Sequence, residues 1–388
     1  MKSFIAGFAH SPPTRKPSHV GRISIRAINE AIADAGLERS AIDGLLVGCS
    51  PAASPEVRGW LQPNLAREAA LADLALLSNV DLEGVSAMAT IQVAAMAVRS
   101  GFAEAVMCVF ADTPIGGQGP GGASFTAPTE AGSLNSLYSF CGGVGGLTSY
   151  ALSTQAYLKR YDLMPEALGH IAVSNRKWAA LNPEAMLRDP LDLSAYLKSP
   201  SVSDPLRVLD CAFPVNGAFA AVVSNESIAR SAAKPVEILG YGQAHVHHAL
   251  AHVICEDLEI GARAACARAL KMANRKISEI DAFELYDAFT IMSALTVEEY
   301  GLCEAGAALD LFASGATAPG GKVPVSTGGG HTSGGYLQGA SPLVEGLLQV
   351  RREAGDRQVG VDRAPTVLVS NIGGVMDHHA TMILAAAQ

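Results

Sequence analysis

Charge of either sign is scarce in this chain. Charged residues make up 17% of its 388 residues, hydrophobic residues make up 49%, and the formal net charge is -9. Basic runs are missing, which argues against a nucleic-acid partner, because contacts to phosphates need clustered Lys and Arg. So little charge on a chain of this size predicts a large, well-packed protein with part of its surface hidden in a homo-oligomer.

Long hydrophobic runs and paired cysteines are missing too. The longest apolar stretches, such as residues 105–111, have the length of a strand rather than of a membrane span, and the N-terminal apolar run is too short for a signal peptide. None of the seven cysteines belongs to a Cys-x-x-Cys pair, so reduced thiols are expected. We therefore expect a cytoplasmic protein that does not insert into a membrane and has no metal site.

Two stretches repeat one pattern at a constant offset of 238 residues. The first is RAINEAIADAGLERSAIDGLLVG and the second is RAACARALKMANRKISEIDAFEL; with this offset Ile42 falls on Ile280 and Asp43 falls on Asp281. Each copy has apolar residues at helical spacing, then a short turn, an Ile-Asp pair and a strand. Helices alternating with strands, in duplicate, predict two α/β layers side by side.

The duplication divides the chain into two halves and an insertion. The first half is expected to comprise residues 1–112 and 208–232. A loop domain, residues 113–207, is inserted in it, and the second half comprises residues 233–388. The segment EGVSAMATIQVAAMAVRSG, residues 83–101, is apolar almost all round, which predicts a helix buried on every side. Residues 208–225 have the pattern of a strand, a turn and a second strand.

GGGHTSGGYLQGAS, residues 328–341, is the stretch most suggestive of a functional site. Six of its fourteen residues are Gly, and Tyr336 stands in the middle. Because Gly has no Cβ, such a stretch can bring its backbone very close to another group. It predicts a turn that presents a tyrosine to a bound molecule.

Several motifs share their order and spacing with a known family. They are Ile42-Asp43-Gly44, the buried helix from Gly84, NPEA at 182–185, SDPLRVLDC at 203–211, ELYDAFT at 284–290, the glycine loop at 328–341 and NIGG at 371–374. With these motifs the chain resembles the thiolase superfamily over most of its length, and most closely the sterol-carrier-protein-type thiolases. The resemblance implies a five-layered αβαβα fold of two similar halves, a tight homodimer and a CoA thioester substrate, with no covalently bound cofactor.

Four positions depart from what the resemblance implies. Thiolases carry a nucleophilic Cys at the start of the buried helix, a second Cys in a Cys-x-Gly-Gly turn, a His in a Gly-His-Pro turn, and Asn or His ahead of Asp-Ala-Phe. In this chain those positions hold Gly84, Asn371, Tyr336 and Tyr286. Thiolysis needs a nucleophile that becomes acylated, and Gly84 cannot be one. Both thiols are therefore missing, and two tyrosines occupy the other two catalytic positions.

Retro-aldol cleavage needs no acylated nucleophile. A base takes the proton of a β-hydroxyl group, the Cα–Cβ bond breaks, and hydrogen-bond donors hold the thioester enolate. In its substitutions the chain resembles Cys-lacking thiolase-like aldolases of steroid side-chain breakdown. That resemblance implies that Tyr286 and Tyr336 share the acid and base roles, that the backbone N–H groups of Gly84 and Gly373 form an oxyanion hole, and that a ketone or aldehyde leaves with acetyl-CoA or propionyl-CoA. It also implies a small partner protein, an OB-fold with a zinc ribbon.

The neighbouring polar residues are expected to line the pocket; they are Asn371, His331, Asp287 and Ser86. Ser86 is expected to cap the buried helix rather than to act as a nucleophile. An unperturbed tyrosine has a pKa near 10, so a tyrosine base needs a lowered pKa or a relay, and His331 is a candidate helper. Gly in place of Cys at position 84 is expected to leave room for a bulky acyl group.

Two other functions stay open at this point. One is a catalytically silent thiolase-like subunit that binds acyl-CoA or supports a partner enzyme, with its tyrosines apart or buried. The other is an acetyl-CoA acyltransferase with an unrecognised nucleophile, which needs a thiol or a serine within reach of both loops. One histidine-rich stretch is more typical of a solvated or substrate-flanking loop than of a metal site; its histidines are His245, His247, His248 and His252. His378 is more typical of the end of a strand. The sequence assigns these histidines no chemical role.

Overall fold

The computed structural model describes residues 2–49, 64–115, 140, 143, 145–246, 258–360 and 362–387. The strands in chain order are β1 (Phe4–His10), β2 (Gly44–Gly48), β3 (Leu76–Val80), β4 (Ala105–Asp112), β5 (Ser201–Ser203), β6 (Leu206–Arg207), β7 (Gly217–Ser224), β8 (Val236–His245), β9 (Ala282–Glu284), β10 (Val367–Gly373) and β11 (His378–Ala386). The helices are α1 (Val20–Ala35), α2 (Ser86–Ser100), α3 (Gly145–Arg160), α4 (Gly169–Leu181), α5 (Leu193–Leu197), α6 (Glu226–Ala229), α7 (Ala262–Ala273), α8 (Thr290–Glu299), α9 (Ala308–Ala313) and α10 (Ala340–Arg351).

Nine of the described strands form one continuous sheet, in the order β3-β2-β4-β7-β1-β8-β11-β10-β9. The sheet has a junction in the middle, where β1 joins β8 only through Phe4 and Ile5, which pair with Glu237 and Val236. One half of the sheet therefore consists of β3, β2, β4, β7 and β1, and the other half of β8, β11, β10 and β9. Strands β5 and β6 form a separate short ladder.

Helices α2 and α10 lie between the two halves of the sheet. Their buried side chains form one apolar cluster with residues of both halves, including Ile5 and Leu46 of the first and Val369 and Met382 of the second. Helix α1 packs on the other face of the first half, and helices α7 and α8 pack on the other face of the second. The order helix, sheet, helix, sheet, helix is the five-layered arrangement expected from the sequence.

The repeated Ile-Asp pair has the same structural role in both halves. Asp43 accepts hydrogen bonds from the backbone N–H groups of Glu104 and Ala105, at the start of β4. Asp281 accepts one from the backbone N–H of Thr366, immediately before β10. Each carboxylate thus satisfies backbone donors where a neighbouring strand begins. This shared contact supports the duplication, and the exact domain boundaries stay a prediction.

Helix α2 is apolar almost all round because both halves of the sheet cover it. Ten of its residues, from Ser86 to Val98, are buried. It ends at Gly101, whose φ of 75° lies in the left-handed region that favours Gly. Because the helix is held on all sides, its N-terminus has a fixed position between the two halves of the sheet.

The predicted strand near residue 208 is wrong. Val208–Asp210 forms a 3₁₀ turn, and β7 is the strand of this segment. The buried carboxylate of Asp210 explains the turn, because it accepts hydrogen bonds from the hydroxyls of Tyr196 and Thr290 and from the N–H of Arg207. The alternation of apolar residues after Val208 is typical of a strand. The hydrogen bonds to the buried carboxylate of Asp210 instead require the backbone to curl around it.

No helix in the described ranges is long and apolar enough to cross a membrane. The same residues contain no group of three or more His, Cys, Asp or Glu side chains placed to hold a metal ion. His245 and His378 face each other across β8 and β11, with their Nδ1 atoms 3.1 Å apart. His247, His248 and His252 lie outside the described residues. The cytoplasmic location stays a prediction.

Two buried histidines, His331 and His379, make the fold sensitive to acid. Burial lowers the pKa of each to about 3, whereas an unfolded chain takes up these protons below a pKa of about 6.5. Between these values the folded state binds fewer protons than the unfolded state. Stability is therefore lost as the pH falls from about 6.5 toward 3, by roughly 1 kcal/mol for each histidine and pH unit.

His379→Leu is expected to remove one of these two contributions. The loss of unfolding free energy between pH 6.5 and 5 should shrink by about 1–2 kcal/mol, measured by urea denaturation at both pH values. An equal loss in His379→Leu and in the parent would contradict the assignment.

Candidate active site

Tyr286 and Tyr336 meet although 50 residues separate them in the sequence. Their hydroxyl oxygens are 2.7 Å apart and share a hydrogen bond, and their rings meet edge to face. Tyr286 follows β9 and is 4% exposed, whereas Tyr336 is half-buried. The two tyrosines therefore form one hydrogen-bonded pair, and Tyr336 is the member nearer to solvent.

The glycine loop folds onto Asp287. One carboxylate oxygen of Asp287 accepts the backbone N–H of His331 at 2.7 Å, and the other accepts the side-chain amide of Asn175 at 2.7 Å. Gly330 has a φ of 60°, and a Cβ there would overlap the Asp287 carboxylate. Burial raises the pKa of Asp287 to about 7, against the lowering effect of its donors. Asp287 thus fixes the loop that carries Tyr336.

His331 packs against both tyrosines but uses both of its ring nitrogens. Its ring centroid lies 4.7 Å from that of Tyr286 and 4.9 Å from that of Tyr336. Nδ1 accepts the N–H of Asp287, and Nε2 donates to the carbonyl of Gln338 at 2.9 Å. Burial lowers the pKa of the ring to about 3, so the ring is neutral. Both ring nitrogens of His331 therefore have partners within the loop region, and its expected part as a helper of the tyrosines stays a prediction.

The hydroxyl of Tyr286 occupies the space of the missing thiol. A Cβ on Gly84 would lie 2.5 Å from the hydroxyl oxygen of Tyr286 and closer still to the carbonyl oxygen of Ile372. Any side chain at position 84 would have to displace one of these groups. The expectation that Gly84 leaves room for a bulky acyl group is therefore wrong.

Three glycine-containing turns meet at Gly84. A Cβ on Gly373 would lie 2.5 Å from the carbonyl oxygen of Leu82 and 3.1 Å from the amide nitrogen of Gly84, so the two expected oxyanion-hole residues are neighbours. Gly339, just before α10, lies against the carbonyl of Gly84 and the side chain of Asn371, which is fully buried. The N-termini of α2 and α10 and the end of β10 therefore converge beside the tyrosine pair.

Ser86 begins α2 and is fully buried. Its hydroxyl oxygen accepts the N–H of Leu82 at 2.9 Å, which closes the turn that carries Gly84. Glu83 in the same turn accepts the N–H of Gly374 at 2.7 Å and so ties the start of α2 to the end of β10. The expectation that Ser86 caps the helix is wrong, because Ser86 is the first residue of α2 and its hydroxyl binds an N–H of the preceding turn instead of one in the first turn of the helix.

Both hydroxyls of the tyrosine pair keep their protons in the resting protein. Burial raises the pKa of Tyr286 well above its usual range, and charge on Tyr336 would raise it further. Burial also raises the pKa of Tyr336, and the hydrogen bond with Tyr286 lowers it only in part. Asp112 and Glu83 add negative charge that opposes ionisation of Tyr336. These surroundings therefore do not favour a resting phenolate at either position.

A third tyrosine, Tyr150, joins the site from α3. It is 7% exposed, and its ring stacks on that of Phe289 with the centroids 4.4 Å apart. Burial is the main cause that raises the pKa of Tyr150. Negative charge on Tyr336 would raise it further, because the two hydroxyls are close enough to interact electrostatically. The sequence reasoning missed Tyr150, since no motif marks it. Its contact with the Phe of the Asp-Ala-Phe motif requires the folded chain.

The described residues also line a cleft, open to solvent, beside the glycine loop. His331 contributes to its wall, but neither tyrosine of the pair does. In the cleft, Arg357 Nε lies 3.0 Å from both carboxylate oxygens of Glu345. Burial and then the charge of Glu345 raise the pKa of Glu284 well above its usual range. These groups satisfy one another, and we place the chemistry at the tyrosine pair.

The fold and the site define a duplicated α/β protein with a hydrogen-bonded tyrosine pair beside the N-terminus of a helix that is buried between its two halves. Residues 242–386 match the family described as thiolase C-terminal domain-like. The chain is 30% identical over 341 residues to the steroid side-chain-cleaving aldolase of Thermomonospora curvata, with 85% of each chain covered. The chain therefore belongs to the thiolase superfamily, as its motifs predicted.

Two further similarities agree with this assignment. The 17-hydroxy-3-oxo-4-pregnene-20-carboxyl-CoA lyase of Mycobacterium tuberculosis is 28% identical over 363 residues, which cover 91% of this chain and 92% of the relative. A solved structure described as an Ltp2-ChsH2(DUF35) aldolase superposes with a TM-score of 0.87 at 28% identity, covering 99% of this chain and 98% of that one. The predicted fold is confirmed, and the predicted class of carbon–carbon lyase agrees with the names of these relatives.

Proposed function

We propose that this protein is a carbon–carbon lyase that cleaves a β-hydroxyacyl-CoA thioester by a retro-aldol reaction. The similarity to proteins named aldolase and lyase supports this class of reaction. The observation that carries the mechanism is the 2.7 Å hydrogen bond between the hydroxyls of Tyr286 and Tyr336, placed at Gly84, where a thiolase has its nucleophile. The products are a ketone or aldehyde and acetyl-CoA or propionyl-CoA.

In this proposal the tyrosine pair is a neutral proton relay. Tyr336 accepts the proton of the β-hydroxyl group while it passes its own proton to Tyr286. In the same step Tyr286 gives its own proton to the α-carbon, so that neither tyrosine ever carries two protons. The Cα–Cβ bond breaks as the carbonyl forms, and its electron pair, shared with the thioester oxygen as negative charge develops there, forms the new bond to this proton. The proton removed from oxygen is thus balanced by the proton delivered to carbon, and no free phenolate is needed. Tyr336 receives the proton because it is the member nearer to solvent.

The enolate oxygen is proposed to accept hydrogen bonds from the backbone N–H groups of Gly84 and Gly373. Gly84 lies at the N-terminal end of α2, where the first N–H groups of a helix lack intrahelical acceptors and the helix dipole favours negative charge. Donors fixed at the point where charge develops are effective catalysts, and one of them typically contributes about 3 kcal/mol. The adjacency of the two glycines supports this arrangement.

The substrate and partners are proposed from the relatives. Their names make steroid-derived acyl groups carried by CoA the first candidates. The similar solved structure is described as an aldolase together with a DUF35 protein, which supports a small partner of the OB-fold and zinc-ribbon kind. A homodimer is proposed through β3, which ends the described sheet and whose Leu77 is 44% exposed.

A catalytically silent acyl-CoA-binding subunit is the second candidate. One observation favours it, because Tyr286 is buried and fills the space at Gly84. An acyltransferase has less support, since burial raises the pKa of the thiols of Cys211 and Cys266 to about 12. Neither cysteine lies in the turns that carry the site.

Incubation with a panel of β-hydroxyacyl-CoA thioesters tests the proposal. The panel contains steroid-derived and aliphatic acyl groups, and the protein is used alone and with a DUF35 partner. We expect release of a short acyl-CoA and a carbonyl compound in equal amounts, and both products are measured by mass spectrometry. Binding of the thioesters without release of product, in every combination, would instead support the silent subunit.

A further inference from the structure

Asn371 is a buried amide without hydrogen bonds. Its exposure is 0%, and neither its amide nitrogen nor its amide oxygen has a hydrogen-bond partner among the described residues. Buried polar groups are nearly always paired, because an unpaired one loses its bonds to water and gains nothing in return. An unpaired amide in a resting protein is therefore expected to have a partner in another state, such as the complex with substrate.

The position of Asn371 is as informative as its lack of partners. Alternation along β10 places it on the same face as Val369, whose side chain packs between the two halves of the sheet. There it meets Gly339, where any Cβ would overlap its Nδ2 atom and would also lie 2.5 Å from the carbonyl oxygen of Gly84. The amide thus sits where the N-termini of α2 and α10 converge, and both termini favour negative charge.

Two different groups flank Gly84 in this arrangement. The hydroxyl of Tyr286, which follows β9, lies next to the Cα of Gly84. The amide of Asn371, on β10, lies next to Gly339 on the side where Gly339 meets the carbonyl oxygen of Gly84. In an enolate the α-carbon and the oxygen are separated by one carbon atom, so a proton donor and an oxygen-binding donor must stand close together. Tyr286 beside the Cα of Gly84 and Asn371 beside its carbonyl fit this requirement.

We propose that Asn371 is a catalytic residue whose side-chain N–H donates a hydrogen bond to the thioester oxygen as the enolate forms. This proposal rests on the proposed function and adds a side-chain donor to the backbone donors of Gly84 and Gly373. It explains why the amide has no partner among the described residues, since its acceptor is the substrate. It also explains why residue 339 is Gly, because a side chain there would displace the amide.

The test separates enolate formation from carbon–carbon cleavage. Propionyl-CoA in D₂O exchanges its α-protons when the enzyme forms the enolate: the α-proton moves to Tyr286, Tyr286 passes its own proton to Tyr336, and Tyr336 releases its proton to solvent hydroxide. Mass spectrometry follows this exchange without any cleavage step. Asn371→Ala and Asn371→Leu should lower this exchange rate and the kcat of cleavage by the same factor, about 100-fold, as for the loss of one oxyanion donor. The Kd of propionyl-CoA should change by less than about 2-fold, because the bond strengthens only as charge develops.

Thermal stability distinguishes a catalytic amide from a structural one. Removal of an unpaired buried amide should leave the Tm of Asn371→Leu equal to or above that of the parent. Gln92 provides the matched control, since it is a buried amide that donates to the carbonyl of Thr381 and accepts from Gln243. Gln92→Ala should lower the Tm and leave the exchange rate of the folded protein unchanged.

The outcomes are distinct. An exchange rate within about 3-fold of the parent in both Asn371 variants, with an active parent, would overturn the role of Asn371 and leave the proposed function standing. A lower Tm combined with an unchanged exchange rate would make the amide structural. A parent that neither cleaves the panel of thioesters nor exchanges propionyl-CoA would overturn the proposed function, and the role of Asn371 with it.

Discussion

Tyr336→Phe is expected to lower the kcat of cleavage by about 1,000-fold, within the range typical for loss of a general acid or base. The substitution removes one hydroxyl of the tyrosine pair and leaves the ring and the backbone in place. Tyr286 then has no partner through which the proton of the β-hydroxyl group can reach it. The Kd of an acyl-CoA that lacks the β-hydroxyl group should change little, because that ligand has no proton to give.

Tyr300 offers a matched control for this substitution. It is also buried, and its hydroxyl bonds Thr381 at 2.7 Å and His379 at 3.0 Å outside the site. Tyr300→Phe should lower the stability by about 1 kcal/mol and leave kcat within a few-fold of the parent. A kcat of Tyr336→Phe that matches that of Tyr300→Phe would contradict the relay.

Gly84→Cys, which restores the thiolase residue, is expected to abolish the lyase activity without creating a thiolase. The Cβ would lie 2.5 Å from the hydroxyl oxygen of Tyr286 and closer to the carbonyl oxygen of Ile372, which belongs to the backbone of β10. Tyr286 must leave its place, so kcat should fall by more than about 100-fold, the lower end of the range for a lost general acid or base. Overpacking should also lower the stability by about 1–3 kcal/mol, measured by urea denaturation.

Two further variants separate crowding from thiol chemistry. Gly84→Ala introduces the same Cβ without a thiol and should lose nearly as much activity as Gly84→Cys. Gly360 has open space around its Cα, with no atom within 4 Å of a built Cβ, so Gly360→Cys should change neither activity nor stability. Full lyase activity in Gly84→Cys would show that Tyr286 does not need the space at position 84.

The sequence predicted those parts of the fold and the site that depend on local pattern. The repeated Ile-Asp pair predicted the duplication. In the fold, Asp43 and Asp281 each accept a hydrogen bond from a backbone N–H group where a neighbouring strand begins. Motif spacing placed Tyr286 and Tyr336 at two positions of one known site. Their side chains lie on separate elements, so their mutual hydrogen bond was beyond the reach of spacing alone.

The parts that the sequence did not predict depend on contacts between distant segments. Gly84 suggested an empty space, and the space is filled by a side chain about 200 residues further along the chain. Tyr150 carries no motif and reaches the site only because α3 packs on Phe289. The unpaired state of Asn371 is a property of its surroundings in three dimensions, and a residue type at a family position does not reveal it.

The dependence of cleavage on free CoA tests the central claim most directly. A β-hydroxyacyl-CoA that the protein cleaves is incubated with and without added CoA, and the intact protein is weighed by mass spectrometry during turnover. The retro-aldol account predicts the same rate in both conditions, equal amounts of carbonyl compound and short acyl-CoA, and no mass added to the protein. A rate that requires free CoA, or an acyl group attached to the protein, would contradict it.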